Sequence, residues 1–194
     1  MATMNLQLQD DVHILTLTNA DNGCDNRLTT EIVGEYLAAL DTLEQYQGNT
    51  ALLLTCEHEK TFSTGINLDW LMQLDDAGRR EFAIAFETLL CRLALLNAPT
   101  VACINGNAYA GGAIIASAAD FRLMRSDRGR YCYPEVDIEI PFTQISSDIG
   151  QLLPNQQAVK NMMLTGVAYT GLECAELQIV DAIYPQDQLQ QEAL

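Results

Sequence analysis

The most informative segment of the chain is Asn105-Gly106-Asn107-Ala108-Tyr109-Ala110-Gly111-Gly112-Ala113-Ile114-Ile115-Ala116-Ser117-Ala118-Ala119-Asp120. It follows an apolar run at residues 100–104 and continues into small residues that can pack closely. This order predicts a strand, a tight loop and a helix. Two adjacent glycines at the start of a helix let a ligand approach the backbone and leave the first helical N–H groups free to donate. Such a site attracts negative charge. On their own, Gly111 and Gly112 are better explained by close packing of the strand against the helix than by ligand binding.

A second glycine turn favours a ligand-binding role for the first one. It reads Phe62-Ser63-Thr64-Gly65-Ile66-Asn67-Leu68, follows an apolar run at residues 51–55 and again enters a predicted helix. Two loops of this kind, each offering a backbone N–H beside a glycine, can converge on one carbonyl oxygen. A phosphate-binding P-loop is disfavoured, because Gly112 and Ala113 occupy the positions of the required Lys and Ser or Thr.

Composition narrows the function classes. The chain has 194 residues, 48% of them hydrophobic, which fits one domain over residues 1–194 with its core at about 5–150 and a short C-terminal helical part at about 151–194. The formal net charge of −16 argues against a nucleic-acid or anionic-membrane partner. No apolar run approaches the ~20 residues that span a bilayer, and residues 1–10 lack the pattern of a signal peptide. We therefore expect a cytoplasmic protein.

The six cysteines and two histidines do not predict a metal site. No Cys-x-x-Cys pair is present, and the histidines, His13 and His58, are far apart in sequence. This combination makes zinc binding improbable, and reduced thiols fit a cytosolic setting.

Strands and helices are predicted to alternate. An N-terminal hairpin is expected at residues 6–17 and a turn at 21–26, followed by an amphipathic helix from Thr29 or Thr30 and a strand at 51–56. A polar loop at 57–64, a short helix at 68–74 and a long helix at 76–96 come next. Further strands are predicted at 100–104, 121–124 and 179–184, and further helices at 154–164 and 172–177. Alternation of this kind implies right-handed crossovers and a largely parallel sheet.

In their order and spacing, the two glycine loops resemble the crotonase superfamily, the enoyl-CoA hydratase/isomerase family. The resemblance covers about residues 5–187 and includes Tyr133-Pro134-Glu135-Val136, Leu164-Thr165-Gly166 and Ile179-Val180-Asp181. It implies an α/β fold that spirals through ββα units and an acyl-CoA thioester substrate, with no cofactor besides that coenzyme A. It also implies assembly into a homotrimer or a dimer of trimers. Family members usually continue for several helices beyond the point where this sequence stops, so we expect a shortened C-terminal helical region.

The resemblance also assigns residues to the reaction. The backbone N–H groups of Ile66 and Gly111 would stabilise an enolate oxygen, and Glu135 matches the second catalytic glutamate of the family. The residues expected to bind substrate are Thr64, Gly65, Asn67, Leu68, Gly112, Ile114 and Arg27; Arg27 is a candidate phosphate contact, as are Lys60, Arg79 and Arg80.

One departure from the family pattern selects among its reactions. Hydratases carry a first glutamate three residues after the oxyanion-hole glycine, and this chain has Ile114 there. A single carboxylate suffices to move a double bond, so the resemblance is to the single-glutamate isomerases that convert 3-enoyl-CoA to 2-enoyl-CoA. Two alternatives stay open. One is another thioester reaction, hydration or hydrolysis, with Glu139 as a substitute acid. The other is a non-catalytic module, since Glu139 and Gln178 stand where the family usually has glycine.

Overall fold

The structure, a computed structural model, describes residues 3–18 and 25–194. The predicted turn at Asp21, Asn22 and Gly23, and Cys24, lie outside the described residues. The strands are β1 Met4–Gln9, β2 Val12–Leu17, β3 Ala51–Cys56, β4 Thr61–Ser63, β5 Thr100–Ile104, β6 Asn107–Tyr109, β7 Phe121–Arg125, β8 Arg130–Cys132, β9 Tyr169–Thr170 and β10 Ala182–Tyr184. The helices are α1 Thr30–Gln45, α2 Leu68–Leu71, α3 Asp76–Ala94, α4 Gly111–Ala118, α5 Gln144–Gly150, α6 Gln156–Thr165, α7 Gly171–Glu176 and α8 Gln186–Ala193.

The strands form two sheets. The larger has six strands in the order β1-β2-β3-β5-β7-β10, and the smaller has four in the order β4-β6-β8-β9. Apart from the antiparallel β1-β2 hairpin, every neighbouring pair in the larger sheet is parallel. The predicted hairpin and the largely parallel sheet are therefore confirmed.

Consecutive strands alternate between the sheets. β3, β5 and β7 lie in the larger sheet, and each is followed by a short strand, β4, β6 or β8, in the smaller one. A helical segment follows each pair, so the chain advances as ββα units. Each unit delivers the end of its short strand to the same side of the molecule. This α/β spiral is the predicted fold, and it explains how Gly65 and Gly111, 46 residues apart in sequence, can meet.

The predicted helices are confirmed, and local capping explains where they begin. Side chains of Thr29, Asp75 and Asn155 accept hydrogen bonds from the first-turn amides of α1, α3 and α6. At α7, Thr170 and Glu173 form a reciprocal capping box. Among the helices in the described part of the chain, none is both long and apolar enough to cross a bilayer.

Several short elements carry no signal in the sequence that predicts them. The loop predicted at 57–64 contains β4, and β6 lies inside the segment predicted as a single tight loop before α4. The other elements that carry no prediction are β8, β9, α5 and α8. Strands of two or three residues show too little alternation to be recognised, although β4, β6 and β8 are the strands that position the site.

Two residues at positions where the resemblance implies glycine adopt left-handed backbone conformations. Glu139 has φ 57° and Gln178 has φ 56°. Glycine reaches this region without steric cost, whereas other L-residues enter it with some strain. The backbone at both positions thus has a shape that favours glycine.

Candidate functional site

The site is an apolar cavity of about 360 Å³ between α3, α4 and the segment that joins β8 to α5. Phe82 and Phe86 of α3 line one side, stacked with their ring centroids 6.1 Å apart. Ile66 and Leu68 from the first glycine loop and Gly111 from the second also line the cavity. Glu135 lies in the wall of the same cavity. The topology thus brings both glycine loops and the candidate base to one cavity.

The two glycine loops are in direct contact. A β-carbon placed on Gly65 would lie 2.7 Å from the amide nitrogen of Gly111, and one placed on Gly111 would lie 3.4 Å from Cα of Gly65. A β-carbon on Gly112 would lie 2.4 Å from the carbonyl oxygen of Ser63. The distances of 2.7 and 2.4 Å are far below van der Waals contact, so only glycine allows this approach at positions 65 and 112. Gly112 therefore serves close packing of α4 against β4, and Gly65 lies where the loops converge.

The amide of Ile66 is directed away from its neighbouring strand. Leu28 pairs with Ile66 in a parallel bridge, in which the N–H of Leu28 donates to Gly65 O at 2.8 Å and the N–H of Asn67 donates to Leu28 O at 2.9 Å. In this pattern the bonds use the residues on either side of Ile66, and the N–H of Ile66 points to the opposite side. It donates to no acceptor among the described residues.

The amide of Gly111 is the first N–H of α4. The first intrahelical bond runs from Ile114 N to Ala110 O at 2.9 Å, and no side chain caps this end of the helix. Because the first N–H groups of a helix have no intrahelical acceptor, the Gly111 N–H is available to a ligand. Ala110 has φ 48° and ψ −127°, a conformation rare for alanine, and its ψ sets the orientation of the Gly111 N–H.

Glu135 is a buried carboxylate without a charged partner. Its side chain is 6% exposed, and Oε2 has no hydrogen-bond partner among the described residues. Desolvation raises the pKa of Glu135 to about 7, an effect that a hydrogen bond from its own backbone reduces only in part. Backbone bonds from Asp137 N to Pro134 O and from Ile140 N to Glu135 O close the turn that holds it. Glu135 can therefore exchange a proton near neutral pH.

Ile114 lies on α4 one turn after Gly111 and is 3% exposed. Its side chain lines the cavity, where it presents hydrocarbon and no acid or base. The resemblance implies that hydratases carry their first glutamate at this position. In this chain the position is apolar.

Comparison with known proteins agrees with this geometry. The sequence profile of the enoyl-CoA hydratase/isomerase family matches residues 9–194. The chain belongs to this family. It is therefore an enzyme of the crotonase superfamily, whose chemistry is that of acyl-CoA thioesters, as the two glycine loops predicted.

Individual relatives carry both names of the family. The chain is 29% identical to enoyl-CoA delta isomerase 3 of Arabidopsis thaliana over 181 residues, which cover 91% of this chain and 75% of the relative. It is 28% identical to the short-chain-enoyl-CoA hydratase of Clostridium acetobutylicum over 140 residues, 72% of this chain and 53% of that protein. The crystal structure of human mitochondrial delta3-delta2-enoyl-CoA isomerase superposes with a TM-score of 0.90 at 23% identity, covering 99% of this chain and 74% of that one. That likeness establishes the crotonase fold.

The remaining predicted substrate residues separate into two groups. Thr64, Leu68 and Ile114 line the cavity beside Ile66 and Gly111. Gly65, Asn67, Gly112 and Arg27 are not part of its wall. The Asn67 side chain accepts from Trp70 N at 3.2 Å and caps α2, so its role in the structure is to start that helix. Arg27 lies 3.5 Å from Asp69 in an ion pair.

The charged residues that line the cavity are not all ones that the sequence predicted. Glu139 is exposed and does not line the cavity. Arg79 does line it, and its guanidinium donates to the carbonyl oxygens of Leu71 and Met72 at 3.4 and 3.3 Å. Glu87 also lines it, and the sequence analysis missed that residue. The spacing of residues 79, 83 and 87 at intervals of four on α3 was the available signal, because such residues share one helix face.

Among the described residues, no three His, Cys, Asp or Glu side chains form a group that could hold a metal ion.

A buried hydroxyl cluster joins the two halves of the site. Ser117 Oγ of α4 lies 2.5 Å from the Tyr133 hydroxyl and 2.6 Å from that of Tyr131. The Tyr131 hydroxyl also donates to Ala113 O at 2.6 Å. Burial raises the pKa of Tyr131 to about 12 and that of Tyr133 well above its usual value, so both stay protonated. The cluster ties α4, which carries Gly111, to the residue two positions before Glu135.

We expect Tyr133→Phe to lower kcat about fivefold with little change in KM. The ring and its contact with Phe142 remain, but the hydroxyl that anchors the Glu135 segment to Ser117 is lost, at about 1 kcal/mol for one hydrogen bond. Steady-state kinetics with an enoyl-CoA substrate give the measurement. Tyr46→Phe is the control, because it removes a hydroxyl bond to Asp11 outside the site. Equal effects of both substitutions on kcat would contradict a positioning role.

Proposed function

We propose that the enzyme moves a carbon–carbon double bond of an acyl-CoA thioester, converting 3-enoyl-CoA to 2-enoyl-CoA. The observation that carries this proposal is Glu135, a buried carboxylate with a pKa of about 7, in one apolar cavity with the backbone of Ile66 and Gly111. An isomerisation of this kind needs one group that takes up and returns a single proton, together with donors for an enolate oxygen.

In the proposed reaction, ionised Glu135 removes a proton from the α-carbon of the thioester. The electron pair moves into the carbonyl group, and the resulting dienolate oxygen accepts hydrogen bonds from the amides of Ile66 and Gly111. The protonated Glu135 carboxyl then returns the proton to the γ-carbon, and the double bond moves into conjugation with the carbonyl. The reaction neither takes up nor releases a proton overall, and it needs no cofactor besides the coenzyme A of the substrate.

The apolar surroundings support this role for Glu135. A carboxylate with few water contacts is a stronger base than one at the surface, and a pKa near the working pH leaves enough of it ionised. Phe82, Phe86 and Ile114 also keep water from the dienolate. Exclusion of water favours return of the proton to carbon.

Ile114 and Glu139 weigh against hydration. Addition of water commonly uses two carboxylates, one for the water and one for the proton at the α-carbon. Ile114 supplies none, and Glu139 is exposed and outside the cavity wall. The names of the relatives include both delta isomerases and a hydratase, so the cavity supports isomerisation more specifically than the family name does.

The setting of the reaction is also part of the proposal. Arg27 remains a candidate contact for the phosphates of coenzyme A, next to the first glycine loop. We propose a homotrimer or a dimer of trimers, as the family resemblance implies, to be measured by light scattering on the purified protein. A cytoplasmic location is supported by the five free cysteines among the described residues, which fit a reducing compartment.

The proposal is tested by proton exchange and product analysis. The protein is incubated with 3-hexenoyl-CoA in deuterated water, and the products are examined by NMR and mass spectrometry. We expect conjugated 2-hexenoyl-CoA, part of it without deuterium at the γ-carbon because Glu135 carries the same proton between the two carbons. Formation of 3-hydroxyhexanoyl-CoA or of free hexenoic acid as the main product would assign hydration or hydrolysis instead.

The pH dependence provides a second test. Glu135 must be ionised to accept the α-proton, and its pKa is raised to about 7. Below that pH the carboxyl is protonated in the free enzyme, so kcat/KM is expected to fall about tenfold for each pH unit and to reach a plateau above it. Initial rates between pH 5 and 9 give the profile. A midpoint near 4.5, the ordinary value for glutamate, would exclude the buried Glu135 as the base.

A further inference from the structure

Glu87 is the second carboxylate of the cavity. Among the described residues that line it, the acidic ones are Glu87 and Glu135, and the basic one is Arg79. Glu87 is half-buried and follows Phe86, whose ring lies 3.3 Å from the position of a β-carbon on Gly111. The acidic group therefore lies in the same cavity as the proposed reaction centre.

Glu87 has no hydrogen bond or ion pair with any described residue, whereas Arg79 has several partners. The Arg79 guanidinium binds two carbonyl oxygens at the end of α2 and lies 3.7 Å from Asp76. Glu87 lies two helical turns further along α3, on the same face. An ionised carboxylate accepts hydrogen bonds only, so a bound substrate that displaces water from Glu87 must supply a donor or leave the charge unsatisfied.

Two further hydroxyl groups of the cavity lie at the start of α5, which packs against α3. Thr143 caps α5, and its hydroxyl donates to Ser146 Oγ at 3.1 Å. Both residues line the cavity, and Ser146 is 5% exposed. The wall thus presents an acidic acceptor and hydroxyl groups. A plain hydrocarbon chain bound in this cavity would offer no donor to Glu87, so the wall does not match a ligand of that kind.

We propose that Glu87 is a specificity-determining residue that selects acyl-CoA thioesters whose acyl chain carries a hydroxyl group. The hydroxyl donates to the Glu87 carboxylate while the rest of the chain contacts the apolar wall. This inference rests on the proposed isomerase function for its substrate class. A neutral donor fits better than a cation, because Arg79 already places a positive charge in the same wall. A chain ending in a carboxylate would be repelled by Glu87.

A role for Glu87 as a second acid or base makes a different prediction. Glutamine keeps a carbonyl oxygen that can accept from a hydroxyl, but it cannot transfer a proton. If Glu87 only selects the substrate, Glu87→Gln keeps part of the preference for a hydroxylated chain. If it transfers a proton, Glu87→Gln and Glu87→Leu fail equally on every substrate.

The test compares 3-hexenoyl-CoA with its 5-hydroxy and 6-hydroxy derivatives. Wild-type protein, Glu87→Gln and Glu87→Leu are assayed by the ultraviolet absorbance of the conjugated product. Glu81→Leu is the matched control, because Glu81 is an exposed glutamate of the same helix and lies outside the cavity wall. Dissociation constants for 2-hexenoyl-CoA and its hydroxylated forms are measured in parallel by calorimetry, so the preference can be read even if no isomerisation occurs.

We expect wild-type protein and Glu81→Leu to favour at least one hydroxylated compound about tenfold or more, as one charge-assisted hydrogen bond allows. Glu87→Leu should reverse the preference, and Glu87→Gln should give an intermediate value. An unchanged ratio in Glu87→Leu, or a wild-type preference for plain hexenoyl chains, would overturn the proposal. If all substrates remain unconverted but the binding preference follows Glu87, the isomerase assignment fails and the specificity inference stands.

Discussion

Replacement of Glu135 by glutamine is expected to abolish isomerisation while leaving thioester binding nearly intact. The substitution preserves the size of the side chain but removes the group proposed to move the proton, and such groups contribute about 10² to 10⁴-fold to rates. We expect kcat to fall by that factor, with an acyl-CoA dissociation constant within about threefold of wild type. Exchange of the α-proton with deuterated water, followed by NMR, is the direct measurement.

The same variant should be more stable than wild type at alkaline pH. Burial raises the pKa of Glu135 from 4.5 to about 7, so the folded protein binds more protons than the unfolded chain between these values. Stability therefore falls as pH rises through this window. Glu135→Gln escapes this loss, and its unfolding free energy at pH 8 should exceed that of wild type by about 1–3 kcal/mol, with a much smaller difference at pH 4. Urea unfolding at the two pH values separates loss of catalysis from loss of fold.

Glu139→Gln is the matched control, since Glu139 is an exposed carboxylate four residues further along the chain. It should change the isomerisation rate by less than about twofold, as surface substitutions usually do. Full activity in Glu135→Gln would show that another group is the base. A large loss in Glu139→Gln would instead favour the reaction in which Glu139 acts as the acid.

The long elements of the fold could be predicted because their signals are local. In α1, apolar residues recur at helical spacing after a capping Thr29, and β3 is a continuous apolar run bounded by polar residues. The glycine loops could be recognised because each follows an apolar run and precedes a predicted helix, and because their order and spacing resemble the family. The sequence also predicted that the two loops would meet, and Gly65 and Gly111 are in contact.

The missed features depend on tertiary structure. β4, β6 and β8 have three residues each, and they form strands because neighbouring units of the spiral align them. The left-handed conformation of Ala110 is invisible in sequence, since alanine gives no signal for a positive φ. Glu87 precedes Glu135 by 48 residues, and only the packing of α3 against α4 and α5 brings both to one cavity. A charged residue on an amphipathic helix is ordinarily a surface residue.

Gly65→Ala is expected to cause the other large loss of activity, because it changes the point at which the two loops meet. The new methyl group would lie 2.7 Å from the Gly111 amide nitrogen, 2.9 Å from Ala110 Cβ and 3.1 Å from Tyr109 O. Two of these neighbours are backbone atoms that no rotamer change can move. Gly65 also has φ 83°, where an alanine is strained. The loops must separate, and the Ile66 and Gly111 amides could then no longer donate to one oxygen, as the proposed reaction requires.

The size of the expected loss follows from the proposed role of the two amides in stabilising the enolate oxygen. Removal of one preorganised donor costs about 10² to 10³-fold in rate. We therefore expect Gly65→Ala to lower kcat by at least that factor, even if the protein remains folded. Gly112→Ala tests the packing role separately: its methyl group would lie 2.4 Å from Ser63 O, so its main effect should be on the stability of α4 against β4. Kinetics and thermal unfolding of both variants distinguish the two outcomes.

Gly34→Ala provides the control for adding a methyl group to glycine. Gly34 lies within α1, is exposed, and a β-carbon there meets no atom within 4 Å. Because alanine is favoured over glycine inside a helix, this variant should gain about 0.5–1 kcal/mol of stability and keep full activity. Gly65→Ala enzyme with kcat within about threefold of Gly34→Ala would show that the contact between the loops is not needed for catalysis. Donors other than these two backbone amides would then have to stabilise the enolate oxygen.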